Sequence, residues 1–316
     1  MKELFKNVLR VDEKDGWFIP CRFTDAQLNT YSESEPTRIR SAAASAVALA
    51  FKTSAEKLSL EYSISARARD WAAFDVLSDG VLFSSKIIED NEGIVDLDLP
   101  GDPSAEVRVY LPHLVAIKIR NIRSDAPLIP VPDRSKKWLV LGDSITQGMV
   151  SIHPSSAYPM ILAEHYGVDI LNQGVGGIEF EPRELDSVGF EPDMITVALG
   201  CNDWGRANAD GMRAVVTEYL EKLLSLYKTE NIYLITPIWR SDEYTSEENK
   251  GISFGDHREA IRDAASKFPT VKIIDGYKLL PKLEHLFGDP DGRRRVHPND
   301  EGFMRYALAL MKYIEI

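Results

Sequence analysis

The chain has 316 residues, 44% of them hydrophobic, with 37 Lys and Arg against 49 Asp and Glu and a formal net charge of -12. That composition supports packed cores and excludes wholesale disorder, and the length favours two domains. The acidic balance speaks against nucleic acid as a partner, because phosphates are bound by an excess of Lys and Arg; solubility is its plainest meaning, and a neutral sugar or ester substrate fits it.

The N-terminal stretch MKELFKNVLRVDEKDG lacks the apolar core of a signal peptide, and no apolar run is long enough to span a bilayer. The expectation is a cytoplasmic protein with no membrane partner. Two cysteines, Cys21 and Cys201, suffice for neither a disulfide framework nor a structural zinc site. His113, His153, His165, His257 and His285 contain no H-x-x-x-H pair, so no metal is expected.

Up to about residue 130 the apolar period is two. Val47, Leu49 and Phe51 alternate with small or polar neighbours, as do Leu58, Leu60, Tyr62 and Ile64. The same holds for Val95, Leu97 and Leu99 and for Val115, Ile117 and Ile119. This predicts half-buried strands with one wet face. Asp79-Gly80, between two apolar stretches, is a hairpin-turn signal. Short strands without intervening helices predict an antiparallel β-sandwich, jelly-roll-like in type.

The stretch SDAPLIPVPDRSKK, Ser124 to Lys137, holds three prolines and reads as an extended linker. Beyond it strands alternate with helices. Buried strands are predicted at Lys137 to Leu141, Val168 to Leu171, Met194 to Leu199, Ile232 to Ile235 and Val271 to Ile274. One intervening helix puts Met212, Val215, Val216, Tyr219, Leu220 and Leu223, with Tyr227, on a single face, and the last helix does so with Met304, Ala307, Leu308 and Met311. The pattern predicts an α/β fold, a parallel sheet wrapped on both faces. The chain thus divides into a β-sandwich domain over 1–134 and an α/β domain over 135–316. In such sheets ligands bind beyond the carboxyl ends of the strands.

The first of these strands ends in GDSITQG, Gly142 to Gly148. Its glycines are one residue too far apart for a phosphate-binding loop, and Met149 stands where that loop has lysine. The G-x-S-x-G elbow is absent as well. What remains is Ser144 at a strand-to-helix turn, able to expose its hydroxyl and to offer its amide to an anion. The second strand runs into NQGVGG, Asn172 to Gly177, whose glycines let backbone approach a ligand closely. The third runs into GCNDW, where Asn202 brings a side-chain N–H and Trp204 either walls a pocket or covers the sheet end. His297 precedes the last helix.

A hydroxyl nucleophile needs a base, and a tetrahedral intermediate needs several preorganised donors. These positions supply both. Singly they have plainer readings: Ser144 as a helix cap, His297 as a packed or capping side chain. Their co-occurrence points to chemistry. Asp143 reads as structural, Cys201 as a small residue in a tight loop, and Arg293, Arg294 and Arg295 as a solvated run.

GDSIT, NQGVGG, GCND and VHPND, in that order, resemble the four motif blocks of the SGNH, or GDSL, hydrolases. The resemblance covers the α/β half and implies a flavodoxin-like domain with a five-stranded parallel sheet. It implies Ser144 as nucleophile and His297 as general base. The amides of Ser144 and Gly177 and the side chain of Asn202 would form the oxyanion hole, with no cofactor. The β region ahead of it, with FDVLSDG and VYLPH, is similar to the sandwich of two-domain carbohydrate esterases that remove acetyl groups from sugars. The implied activity is hydrolysis of a small acyl ester, acetyl on a carbohydrate. Lipid-ester or thioester hydrolysis on the same site, and non-catalytic carbohydrate binding, are the alternatives.

One position departs from the family pattern. Its usual acid lies three residues before the histidine, where this chain has Arg294, and a guanidinium there disfavours an imidazolium. Three arrangements stay open. The arginines bulge outward and Asp291 reaches His297; a backbone carbonyl orients the ring in a Ser–His dyad; or the site has lost hydrolysis.

Overall fold

The computed structural model describes residues 1–243, 251–288 and 296–316. The first half forms β1 (Phe5–Lys6), β2 (Arg10–Lys14) and β3 (Trp17–Cys21), then helices α1 (Asp25–Tyr31) and α2 (Glu35–Ser41). There follow β4 (Ala48–Lys52), β5 (Lys57–Arg67), β6 (Ala72–Ser78), β7 (Val81–Ile88), β8 (Glu92–Asp98), β9 (Val107–Tyr110), β10 (Val115–Ser124) and β11 (Ile129–Pro130). They build two antiparallel sheets: β1-β4-β9-β6-β7 with β11 on β4, and β2-β3-β10-β5-β8. The expected sandwich is present. Asp79 (φ 47°) and Gly80 (φ 79°) turn β6 into β7 with Ser78 opposite Val81, the left-handed pair a two-residue hairpin loop requires.

β5 alternates buried and half-buried residues, as its sequence predicts. β4 does not. Ala48, Leu49, Ala50 and Phe51 are all fully buried. Leu49 and Phe51 enter the sandwich core, whereas Ala48 joins a second core shared with the parallel sheet. A strand covered on both faces shows small neighbours instead of polar ones, which is what the alanines of β4 register.

The pattern did not point to α1 and α2. Each is seven residues long, too short for a 3.6-residue period to emerge, and each is started by a cap. Thr24 and Gln27 form a reciprocal capping box, and Ser34 accepts from the Thr37 amide.

The second half forms β12 (Lys137–Gly142), α3 (Ser144–Gln147), α4 (Tyr158–Tyr166), β13 (Asp169–Gly174), β14 (Met194–Ala198), α5 (Ala209–Leu226), β15 (Ile232–Ile235), α6 (Phe254–Ala265), β16 (Val271–Ile274) and α7 (Asp300–Leu310). The sheet is parallel throughout, in the flavodoxin-like order β13-β12-β14-β15-β16. Along β12, Trp138 and Val140 point into one core and Leu139 and Leu141 into the other. Each such aliphatic side chain contributes about 1.5–3 kcal/mol by leaving water.

α5 buries Met212, Val216, Tyr219, Leu220 and Leu223 as predicted. α7 is rotated by one residue from its prediction. Phe303, Tyr306, Ala307 and Leu310 are buried, while Met304 and Leu308 are 47% and 53% exposed. The aromatic rings decide the phase, because Phe303 and Tyr306 both pack on Tyr158 of α4.

The two halves share packing. Ala46, Ala48, Leu77 and Tyr110 lie in the same core as Trp138 and Tyr158. Beside it the fully buried Arg108 of β9 pairs with Glu106 (2.6 Å) and with Asp169 of β13 (3.2 Å), and Tyr110 donates to Glu164 at 2.6 Å. Removing one partner of such a pair strands a buried charge, so this cluster fixes how the halves meet.

Candidate active site

β12 ends at Gly142, where an added Cβ would lie 2.1 Å from Thr146 Oγ1, so only glycine fits the turn. Asp143 is the N-cap of α3, its Oδ1 accepting from the Ile145 amide at 2.9 Å. Its structural reading therefore holds, and Ser144 is left as the first helical residue, not the cap. Burial raises the Asp143 pKa to about 6, opposed by the Ile145 amide and the nearby His297.

His297 arrives from the other end of the domain. Its backbone carbonyl accepts from Gly288 N at 3.1 Å, and two residues on Asn299 caps α7 by accepting from Gly302 N at 3.0 Å. These ties bring Nε2 to 2.8 Å from Ser144 Oγ, a distance over which a hydroxyl proton can pass to an imidazole. Asp291 and the run Arg293, Arg294 and Arg295 lie outside the described residues.

The loop after β13 supplies the next wall. Asn172 accepts from Gly174 N at 2.8 Å and donates to Thr146 O at 3.0 Å, stitching the strand end to α3. Gly177 has φ +88°, a conformation glycine adopts freely. Asn202, after β14, donates through Nδ2 to Ile178 O at 2.9 Å. Ser144, Gly177, Asn202 and His297 line one cavity of about 170 Å³, together with Gly176 and Met149. It sits at the carboxyl ends of β12, β13 and β14, where the strand order reverses.

Trp204 is not among the lining residues. It is fully buried, packed against Phe254, with Nε1 donating to Ile252 O at 2.9 Å. Cys201 is buried as well, and burial pushes its thiol pKa up, which suits a packing residue. Asp203 accepts from Phe180 N at 3.0 Å through Oδ1, while its buried Oδ2 has no hydrogen-bond partner among the described residues. Burial raises its pKa to about 7, against the Phe180 amide and aided by Glu179 and Asp143.

Two further lining residues come from the sandwich half: Arg40 of α2 and Arg69 of the loop after β5. Sequence reasoning missed both. Neither follows a parallel strand, and the only local signal was the cap at Ser34 that starts α2. Arg40 Nη1 donates to Gly176 O at 2.8 Å, Gly176 N donates to Gln147 Oε1 at 2.8 Å, and Gln147 Nε2 donates to Arg40 O at 2.8 Å. The ring of three hydrogen bonds clamps the peptide before Gly177. Behind it, the fully buried Arg22 has, among the described residues, only carbonyl partners in its hydrogen bonds: Asn172, Gly174 (3.2 Å), Ala43 (2.7 Å), Arg40 (3.2 Å) and Ser41 (3.5 Å). Burial lowers its pKa to about 10.

Residues 140–305 match the model of the GDSL-like lipase/acylhydrolase family. No curated protein sequence matches the chain. Among solved structures, a salicylyl-acyltransferase from a tetracycline biosynthetic pathway superposes with a TM-score of 0.81 at 20% identity, over 98% of this chain and 92% of that one. An acetyl xylan esterase from the rumen bacterium Butyrivibrio proteoclasticus gives 0.61 at 16% identity, over 85% and 88%. A family two carbohydrate esterase from Clostridium thermocellum, in complex with cellohexaose, gives 0.60 at 14% identity, over 84% and 90%. At these identities the likeness is one of fold.

Proposed function

The chain belongs to the GDSL-like lipase/acylhydrolase family and is an ester hydrolase, and from that premise we propose that it removes a small acyl group, acetyl, from a carbohydrate alcohol. Ser144 is the nucleophile and His297 the base. His297 Nε2 takes the hydroxyl proton as Oγ attacks the carbonyl carbon. The oxyanion that forms is held by the amides of Ser144 and Gly177 and by Asn202 Nδ2. The imidazolium then protonates the departing alcohol, and water repeats the sequence to release the acid.

The observation that carries this reading is the 2.8 Å contact between Ser144 Oγ and His297 Nε2 beside the glycine-rich loop. Size argues for a short acyl chain. A cavity of about 170 Å³ with Arg40, Asn202 and His297 in its wall suits a short acyl group better than a fatty acyl chain. The sandwich ahead of the α/β half is shared with carbohydrate esterases, which supports a sugar as the alcohol.

The test is labelling with a serine-reactive fluorophosphonate, the adduct mapped to Ser144, together with hydrolysis of p-nitrophenyl acetate that disappears in Ser144→Ala. A wild type as inert as Ser144→Ala towards both reagents would replace this reading with non-catalytic sugar binding.

A further inference from the structure

Three consecutive residues of the loop after β13 are each held by a residue of the loop after β14. Ile178 O accepts from Asn202 Nδ2 at 2.9 Å, Glu179 Oε1 pairs with Arg206 Nε at 2.5 Å, and Phe180 N donates to Asp203 Oδ1 at 3.0 Å. The turn that carries two of the holding residues is closed by Arg206 N donating to Asp203 O at 2.9 Å. Gly177, whose amide is a proposed oxyanion donor, is the chain neighbour of Ile178. The seam therefore begins one residue beyond the group it would steady.

The three rungs are unequal. The side chains of Glu179 and Arg206 are 28% and 66% exposed, and an ion pair in water holds a backbone loosely. The Asn202 bond alone is a hinge about which the two loops can still turn. The buried bond to Phe180 N, two residues on, removes that rotation.

Asp203 is only 4% exposed, and its buried Oδ2 has no hydrogen-bond partner among the described residues. It also feels the charges of Glu179 and Glu184 from the loop it holds and of Asp143 beside Ser144. Both features oppose stability, and a residue that only filled the space would have neither. What the carboxyl adds is an acceptor for the Phe180 amide.

We propose that Asp203 is a positioning residue of the esterase site: by holding Phe180 N it fixes the aim of the Gly177 amide relative to Ser144 and Asn202. This rests on the esterase reading above and deepens it. Asp203 lies behind the cavity wall and acts through the loop.

The experiment measures kcat and KM for p-nitrophenyl acetate, and the rate at which a fluorophosphonate labels Ser144, in Asp203→Ala, Asp203→Val and Asp203→Asn, with circular dichroism to confirm each fold. Ala and Val remove the acceptor, and Val keeps the space filled should the Ala variant not fold. Both should lower kcat about tenfold with KM nearly unchanged and slow labelling by a similar factor, because a misaimed donor is felt as charge develops on the oxygen. Asp203→Asn, which retains an acceptor, should recover most of the loss. Unchanged kcat in a folded Ala or Val variant, a loss confined to KM, or an Asn variant as slow as these two overturns the inference and leaves the esterase reading standing. A wild type without Ser144-dependent turnover or labelling overturns the esterase reading, and this inference with it.

Discussion

Arg40 Nη1 lies 2.8 Å from the carbonyl oxygen of Gly176, and that carbonyl shares its peptide unit with the amide of Gly177. A cationic donor on the carbonyl polarises the unit and strengthens the N–H at its far side. An anchor contributed by the sandwich half thereby acts on the proposed oxyanion donor. Arg40→Met should lower kcat for p-nitrophenyl acetate about tenfold with KM nearly unchanged, because the lost interaction grows only as charge develops on the substrate oxygen. Arg40→Lys should recover part of the loss. A change confined to KM would remove Arg40 from this role.

Asn202 is the third donor of the proposed oxyanion hole. Its Nδ2 donates one hydrogen to Ile178 O, which fixes the amide plane. Asn202→Ala should reduce kcat by about 10²–10³, the usual cost of one oxyanion donor. Steady-state kinetics on a neutral ester, with circular dichroism to confirm the fold, would show this. A variant within twofold of wild type would exclude Asn202 from the hole.

Arg22 is a buried cation surrounded by carbonyl oxygens. Arg22→Leu would leave the carbonyls of Asn172, Gly174 and Ala43 without this donor, at about 1–3 kcal/mol for each one left unsatisfied. The variant should unfold at clearly lower urea concentration. Because Arg22 joins α2 to the end of β13, it should also lose activity under conditions where it remains folded. Full activity in a destabilised Arg22→Leu would show that the clamp serves stability alone.

Asp203 sets a pH dependence. Its folded pKa of about 7 exceeds the value of about 3.9 expected in the unfolded chain. Between those values the folded state binds the proton more tightly, so the contribution of this group to stability falls as pH rises through about 4 to 7 and levels off above. Asn in its place keeps an acceptor for Phe180 N and carries no charge. Asp203→Asn should therefore be more stable than wild type at pH 8, by up to about 4 kcal/mol, with the difference vanishing near pH 4. Chemical denaturation at the two pH values gives the comparison; a pH-independent difference would refute it.

The sequence announced the parallel sheet well, because strands buried on both faces read as continuous apolar runs and their loops carry the glycines and polar residues that face the cavity. Ile232–Ile235, buried throughout, begins and ends where its apolar run does, whereas the edge strand Val271–Ile274 is covered less fully and exposes Lys272. Ser144 and His297 were legible because each stands at a strand or helix end in a recognisable block. The phase of α7 was not, since Met304 and Leu308 mimic a buried stripe while the bulkier Phe303 and Tyr306 claim the core. Arg40 and Arg69 were invisible for another reason. Their place in the cavity wall arises from how two differently built halves abut, and no local periodicity encodes that contact.

The hydrogen-bonded ring of Arg40, Gln147 and Gly176 has an evolutionary corollary. The proposed reactive pair and the arginine that braces its neighbouring loop are drawn from separate stretches of the gene, so selection can alter the brace by editing codons near the start while Ser144 and His297 stay untouched. The same ring denies the hydrolytic half independence. Severed from its leading partner it would lose the brace on the Gly176–Gly177 loop and bare a greasy flank, so it is poorly suited to travel between proteins as a portable cassette.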